Sequence, residues 1–101
     1  MSSPPLKLLY REIHTGQSPA LMTVAVPKKL IKKAVDRNLI KRRIREAYRQ
    51  KKPDLYDTFI DNNRQFELLF LYQASDITEF NTIRNALNVL ALRLVKNIDK
   101  K

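Results

Sequence analysis

Positively charged side chains are concentrated in one short part of this 101-residue chain, from Lys28 to Lys52. This stretch contains twelve Lys or Arg residues and only two acids, Asp36 and Glu46, so its net charge of +10 equals that of the whole chain. A charge excess confined to one segment indicates a polyanion that binds one face of the molecule. The candidate partners are therefore RNA, DNA or an anionic membrane.

Side chains suited to catalysis or metal binding are scarce. The chain has no Cys, one His and one Gly, which excludes disulfides, thiolate metal sites and glycine-rich phosphate loops. His14 is expected to be a solvated loop residue, and Asp54, Asp57 and Asp61 are expected to be scattered through a solvated loop. Since no nucleophile lies beside a candidate base, we predict no catalytic residue and no metal ligand.

Length and patterning predict a single α+β domain over residues 1–101, in the order β-β-α-β-α. Residues 1–5 are expected to be a flexible lead. Strands are predicted at residues 6–13 and 21–26, joined as an antiparallel hairpin. No apolar run approaches the ~20 residues that span a bilayer, so no membrane segment is predicted.

The second half of the chain is expected to fold as helix, strand and helix. The first helix is predicted over residues 34–50, with Pro53 ending it because proline has no N–H to donate. Residues 66–72 are almost continuously apolar, which predicts a central strand buried on both faces. Apolar residues spaced three and four apart predict an amphipathic helix over residues 78–97.

Two opposite faces are predicted for the helix at residues 34–50. At 100° per residue, one apolar stripe contains Ile40, Ile44, Ala47 and Tyr48. The opposite face contains Asn38, Lys41, Arg42, Arg45 and Arg49. Arg37 and Arg43 flank the stripe. Because only Glu46 offsets these arginines, a nucleic-acid partner is favoured over a merely solvated face, and a membrane is disfavoured because the core needs the narrow stripe.

The segment AVDRNLIKRRIRE resembles the signature of the bacterial ribonuclease P protein subunit, approximately A-V-x-R-N-R-x-K-R-x-x-R-E. The residues that match in register are Ala34, Val35, Arg37, Asn38, Lys41, Arg42, Arg45 and Glu46. Val26 and the pair Lys28 and Lys29 match the strand end and lysine pair that precede the signature. Leu39 departs from it, since the family usually has Arg there. The connection at residues 30–33 also lacks the common Gly and is one residue longer.

The resemblance implies a small sheet packed against helices, with a left-handed β-α-β crossover. It also implies a cytoplasmic, monomeric protein that binds the ribonuclease P RNA and assists this RNA in removing 5′ leaders from precursor tRNA, with Mg²⁺ held by the RNA. The RNA-facing residues that it implies are Lys28, Lys29, Arg37, Asn38, Lys41, Arg42 and Arg45. Helix geometry adds Arg49, which lies on the same face. The family normally begins with a further helix, whereas this chain is expected to start almost directly at a strand.

Two questions stay open on the sequence. Tyr10 resembles the family's aromatic residue at the cleft for the single-stranded leader, where it could stack on bases, but a core position on the sheet is an equal alternative. The chain could also be a general RNA chaperone or ribosome-associated binder, or a DNA-binding module with its helix in a major groove. The DNA alternative is the weaker one, because Asn38 is the only side chain of the helix suited to adenine edges.

Overall fold

The computed structural model describes residues 1–14 and 18–99. Its elements are the strands β1 (Ser2–Ser3), β2 (Leu6–Ile13) and β3 (Ala20–Ala25), the helix α1 (Ala34–Asp61), the strand β4 (Gln65–Tyr72) and the helix α2 (Phe80–Asp99). A small mixed sheet with two helices confirms the predicted α+β class. The turn predicted after β2 falls partly on residues 15–17, outside the described part of the chain.

Strand β4 lies inside the sheet, whose order is β1-β2-β4-β3. It pairs antiparallel with β2, from Leu6 opposite Tyr72 to Ile13 opposite Gln65, and parallel with β3. The predicted hairpin between β2 and β3 is therefore wrong, because β4 separates them. The segment β3-α1-β4 is the expected crossover between parallel strands, and its left hand stays a prediction.

The first residues of the chain are part of the sheet. Strand β1 pairs antiparallel with the start of β2. The ammonium group of Met1 donates to the carbonyl of Leu8 at 3.0 Å, and the guanidinium of Arg93 in α2 donates to the carbonyl of Ser2 at 2.7 Å. The prediction of a flexible lead over residues 1–5 is corrected, because backbone pairing and two charged donors hold this segment.

Both helices pack on the same face of the sheet. Along β4 the buried side chains are Phe66, Leu68, Phe70 and Tyr72, and the residues between them are half-buried. The expectation that this strand is buried on both faces is thus wrong for the second face, since the helices cover only the first. Leu9 and Leu21 lie on the open face and are 44% and 52% exposed.

Helix α1 continues through Pro53 to Asp61, so the predicted end before Pro53 is wrong. A proline inside a helix removes one backbone hydrogen bond and costs about 3 kcal/mol. Leu55 and Phe59 extend the apolar stripe by two turns and are both buried. Burial of each side chain contributes about 1.5–3 kcal/mol, so the two together are enough to offset the cost of the proline.

The C-terminal turns of α1 include the acids that were expected to lie in a loop. Asp54, Asp57 and Asp61 are exposed residues of this helix. The helix ends where the amide of Arg64 donates to the carbonyl of Phe59 at 3.0 Å, beyond Asn63 at φ 53°. This arrangement matches a Schellman motif, in which Asn takes the left-handed position more usually given to Gly.

Helix α2 confirms the amphipathic pattern predicted for residues 78–97, although it starts and ends two residues later. Its buried residues are Ile83, Ala86, Leu87, Leu90, Ala91, Leu94 and Ile98. The segment before it is held from two sides. Arg43 of α1 donates to the carbonyl of Thr78 at 2.7 Å, and the hydroxyl of Tyr72 donates to the carbonyl of Asp76 at 2.5 Å.

Two buried tyrosines differ in how their hydroxyl groups are bonded. The Tyr72 hydroxyl bonds the Asp76 carbonyl and also pairs with the Thr78 hydroxyl. The Tyr48 hydroxyl is buried and has no hydrogen-bond partner among the described residues. Burial, reinforced by the neighbouring Tyr56, raises the pKa of Tyr48 well above its usual value. The Tyr48 hydroxyl is therefore a buried polar group that adds no bond to the core.

Replacing Tyr48 by Phe should leave the free energy of unfolding unchanged or raise it by up to about 1 kcal/mol, because a buried unpaired hydroxyl is removed. Tyr72→Phe is the matched control and should cost about 1–3 kcal/mol, since it leaves the Asp76 carbonyl without its donor. Urea unfolding followed by circular dichroism measures both. Equal losses in the two variants would contradict this difference.

Candidate nucleic-acid interface

Burial of one side of α1 fixes which side chains reach solvent. Ile40, Ile44 and Ala47 are fully buried and Tyr48 nearly so, which confirms the predicted apolar stripe. On the other side lie Asn38, Lys41, Arg42, Arg45 and Arg49, which we call the basic row. All of them are exposed except Lys41, which is half-buried. The row spans about 16 Å along the helix, at 1.5 Å per residue.

Two arginines of the basic row carry charge that the protein does not neutralise. Among the described residues, Arg42 and Arg45 form no ion pair. Each guanidinium offers a planar set of donors that suits bidentate contact with a phosphate. Like charges at i, i+3 along a helix destabilise it slightly. A bound polyanion would relieve this repulsion and also make new contacts with the two guanidinium groups.

Arg49 differs from its neighbours because Glu46 holds it. Its guanidinium Nε donates to the two carboxylate oxygens of Glu46 at 2.6 and 3.0 Å. This hydrogen bond lowers the pKa of Glu46 below its usual value. Arg49 therefore reaches solvent with a carboxylate already bound, and a phosphate would have to share or displace it.

The loop that leads into α1 adds four more positive charges beside the helix start. We call residues 27–33 the lysine loop, in which Lys28, Lys29, Lys32 and Lys33 are exposed. Lys28 and Lys29 are where the resemblance implied RNA contacts. Lys32 and Lys33 were not singled out from the sequence, although they belong to the same run of basic residues.

Two arginines of α1 are turned toward the protein. Arg43 donates to the Thr78 carbonyl, which agrees with its predicted place beside the apolar stripe. Arg37 is half-buried, and its NH1 donates to the carbonyls of Ile31 at 3.0 Å and Lys32 at 2.8 Å. The role of Arg37 as an RNA-facing residue stays a prediction, and its NH1 group is engaged within the chain.

Tyr10 lies at the margin of the helix-covered face, across from buried Leu68 on β4. Tyr10 is 37% exposed, its ring centroid is 6.1 Å from that of Phe66, and Asn97 donates to its hydroxyl at 3.4 Å. The Arg64 guanidinium lies 5.0 Å above the Phe66 ring. A partly exposed ring near a cation could stack a nucleobase, so the leader role of Tyr10 stays a prediction.

Other kinds of site find little support in the described residues. His14 is exposed at the end of β2. Within residues 1–14 and 18–99, no group of three or more His, Asp or Glu is placed to hold a metal ion. In the same part of the chain, no helix is long and apolar enough to cross a bilayer. The basic row and the lysine loop are thus the main candidate surface.

A small α+β domain with a basic row, in which Arg42 and Arg45 form no ion pair among the described residues, has the features of a polyanion-binding protein. The family model for ribonuclease P matches residues 1–95. Similar curated proteins are the ribonuclease P protein components of Porphyromonas gingivalis strains ATCC 33277 and W83. Each is 32% identical over 97 residues, which cover 93% of this chain and 69% of the relative. This chain belongs to the ribonuclease P protein family, as the signature in its sequence indicated.

A solved structure also resembles the fold. It is the RNase P protein from Thermotoga maritima in complex with 1-(4-fluorophenyl)-2-thiourea, with a TM-score of 0.72 and 23% sequence identity. The match covers 92% of this chain and 82% of that one. It supports the fold, while family membership implies an RNA subunit as the partner.

Binding to a bacterial ribonuclease P RNA should weaken steeply as salt rises: the slope of log K against log salt should be about −0.7 to −0.9 for each phosphate contact. Arg42→Ala or Arg45→Ala should each flatten this slope by about one unit. Arg43→Ala is the control: it should lower the melting temperature, because the Thr78 bond is lost, and leave the slope unchanged. Slopes unaffected by Arg42→Ala and Arg45→Ala would show that these side chains stay solvated in the complex.

Glu46 should weaken RNA binding, since it is a carboxylate beside the basic row and holds Arg49. Glu46→Gln is expected to raise the affinity for the RNA about two- to fivefold at low salt, and less at high salt, where charges are screened. Glu67→Gln is the matched control, because Glu67 pairs with Arg11 on the sheet at 3.3 Å. Filter binding at two salt concentrations measures both variants. A larger gain from Glu67→Gln would contradict the placement of the interface on α1.

Proposed function

We propose that this ribonuclease P protein binds its RNA subunit through the basic row and the lysine loop, and so assists removal of 5′ leaders from precursor tRNA. The observation that carries the proposal is the pair Arg42 and Arg45, exposed and without ion pairs on the side of α1 opposite the core. Such a surface suits RNA phosphates, which repel one another when two RNA molecules meet.

The chemistry of cleavage belongs to the RNA subunit in this proposal. Mg²⁺ prefers several oxygen ligands, and the basic row presents only cations and one amide. The exposed acids of α1, Asp54, Asp57 and Asp61, lie beyond the basic stretch and form no metal-binding group among the described residues. We assign the Mg²⁺ of the reaction to the RNA subunit.

The protein contributes fixed positive charge and donors of hydrogen bonds. The helix backbone that carries these arginines is already ordered, so only side-chain freedom is lost when they bind phosphates, and their contacts favour one arrangement of the RNA. This contribution matters most at low Mg²⁺, where fewer free cations are present to screen the phosphates.

Tyr10 is proposed to receive a base of the single-stranded leader at the margin of the sheet. We place the protein in the cytoplasm, as a monomer before it meets its RNA.

Reconstitution tests the proposal. The chain is mixed with a bacterial ribonuclease P RNA and a precursor tRNA at low Mg²⁺, and 5′ cleavage is followed on a gel. The chain should stimulate cleavage, Arg42→Ala combined with Arg45→Ala should reduce the stimulation, and Arg43→Ala should largely retain it. RNA binding without any stimulation would instead favour a general RNA-binding protein with no role in tRNA maturation.

A further inference from the structure

We propose that Arg37 is a positioning residue, which acts on RNA through the lysine loop that it holds and not through a phosphate contact of its own. The proposal rests on the function proposed above and deepens it. In this proposal, the Arg of the Arg-Asn pair in the signature lies behind the RNA-binding surface and contacts the protein backbone. The lysines of the loop are then the groups that meet the RNA.

The direction of Arg37 on α1 follows from helix geometry. Arg37 and Leu55 are eighteen residues apart, which at 100° per residue is five full turns, so the two side chains leave the helix on the same side. Leu55 is 1% exposed and lies in the core. Asn38, one residue further, leaves the helix about 100° away and is exposed. Arg37 therefore lies over the buried side of the helix, about 40° from half-buried Lys41 at the edge of the basic row and further from its exposed members.

The lysine loop has one tight turn of its own. The carbonyl of Pro27 accepts hydrogen bonds from the amides of Leu30 and Ile31, both at 3.1 Å. Ile31 is 5% exposed and anchors the loop in the core. Lys28 and Lys29 lie within this turn and point their charges into solvent.

Arg37 closes the second half of the loop. Its NH1 donates to two successive carbonyls, Ile31 at 3.0 Å and Lys32 at 2.8 Å. Hydrogen bonds from a charged donor are roughly twice as strong as neutral ones. Helix α1 has no side-chain cap at Lys33, and the Arg37 guanidinium ties the loop to the first turn of the helix through these two bonds.

The loop needs such a tie because its four lysines repel one another. Four like charges within six residues favour an extended, mobile chain. The positive guanidinium adds to this repulsion but satisfies two carbonyls that the loop exposes. A loop already ordered in the free protein does not lose that freedom on binding, so its lysines bind RNA more tightly.

A double-mutant cycle separates positioning from direct contact. The variants are Arg37→Ala, the pair Lys28→Ala with Lys29→Ala, and all three together, with affinity for ribonuclease P RNA measured at fixed low salt. If Arg37 acts through the lysines, the triple variant should bind at least about fivefold better than the product of the separate losses predicts. Independent losses that multiply would overturn the proposal.

Arg45→Ala is the matched control in the same cycle. Arg45 is exposed in the basic row, so the loss of affinity in Arg45→Ala should multiply with the loss from the two lysine substitutions.

Amide hydrogen exchange gives a readout that does not involve RNA: Arg37→Ala should speed exchange at Leu30 and Ile31 and leave the middle of α1 unchanged. Unchanged exchange at these two amides would also overturn the proposal.

The two proposals can fail separately. If the wild-type chain binds the RNA but does not stimulate cleavage, the proposed function fails while the cycle can still show coupling. If the chain stimulates cleavage and the losses multiply, only the positioning role of Arg37 is lost and the proposed function stands. Thermal unfolding of every variant confirms that the compared proteins are folded.

Discussion

Burial of one apolar stripe on α1 is the interaction on which the rest of this structure depends. Ile40, Ile44 and Phe59 are fully buried with the side chains of β4 in one core. Because these contacts fix the rotation of the helix about its axis, they also decide which residues face solvent. The basic row owes its direction to hydrophobic packing on the far side of the same helix.

The cost of this arrangement is electrostatic. The stretch from Lys28 to Lys52 carries the equivalent of the whole net charge, and its described ion pairs involve only Glu46 with Arg49 and Asp54 with Lys51. A protein selected for stability alone would intersperse more acids along such a helix. Burial of the core offsets this repulsion, and the positive charge that remains can attract an RNA partner.

Local spacing made the apolar stripe of α1, the basic row and α2 predictable from the sequence, because helical periodicity depends on residues only three or four positions apart. The sheet order was not, because nothing near β2 or β3 records that β4 would lie between them. The extension of α1 past Pro53 was missed since proline acts locally, whereas burial of Leu55 and Phe59 is a tertiary gain. Arg37 was placed beside the stripe correctly, but its bonds to the loop carbonyls depend on a backbone path that spacing does not reveal.

The place of β4 in the sheet has a consequence for how the chain acquires its structure. Leu6 pairs with Tyr72 and Ala20 with Phe66, so the partners are 66 and 46 residues apart in the sequence. During synthesis, β2 can pair only with the two-residue β1, and β3 has no neighbouring strand, until β4 leaves the ribosome; such distant pairing slows folding. For that interval the basic segment is already exposed in an unfinished chain, beside ribosomal RNA, before its apolar stripe has a sheet to cover it.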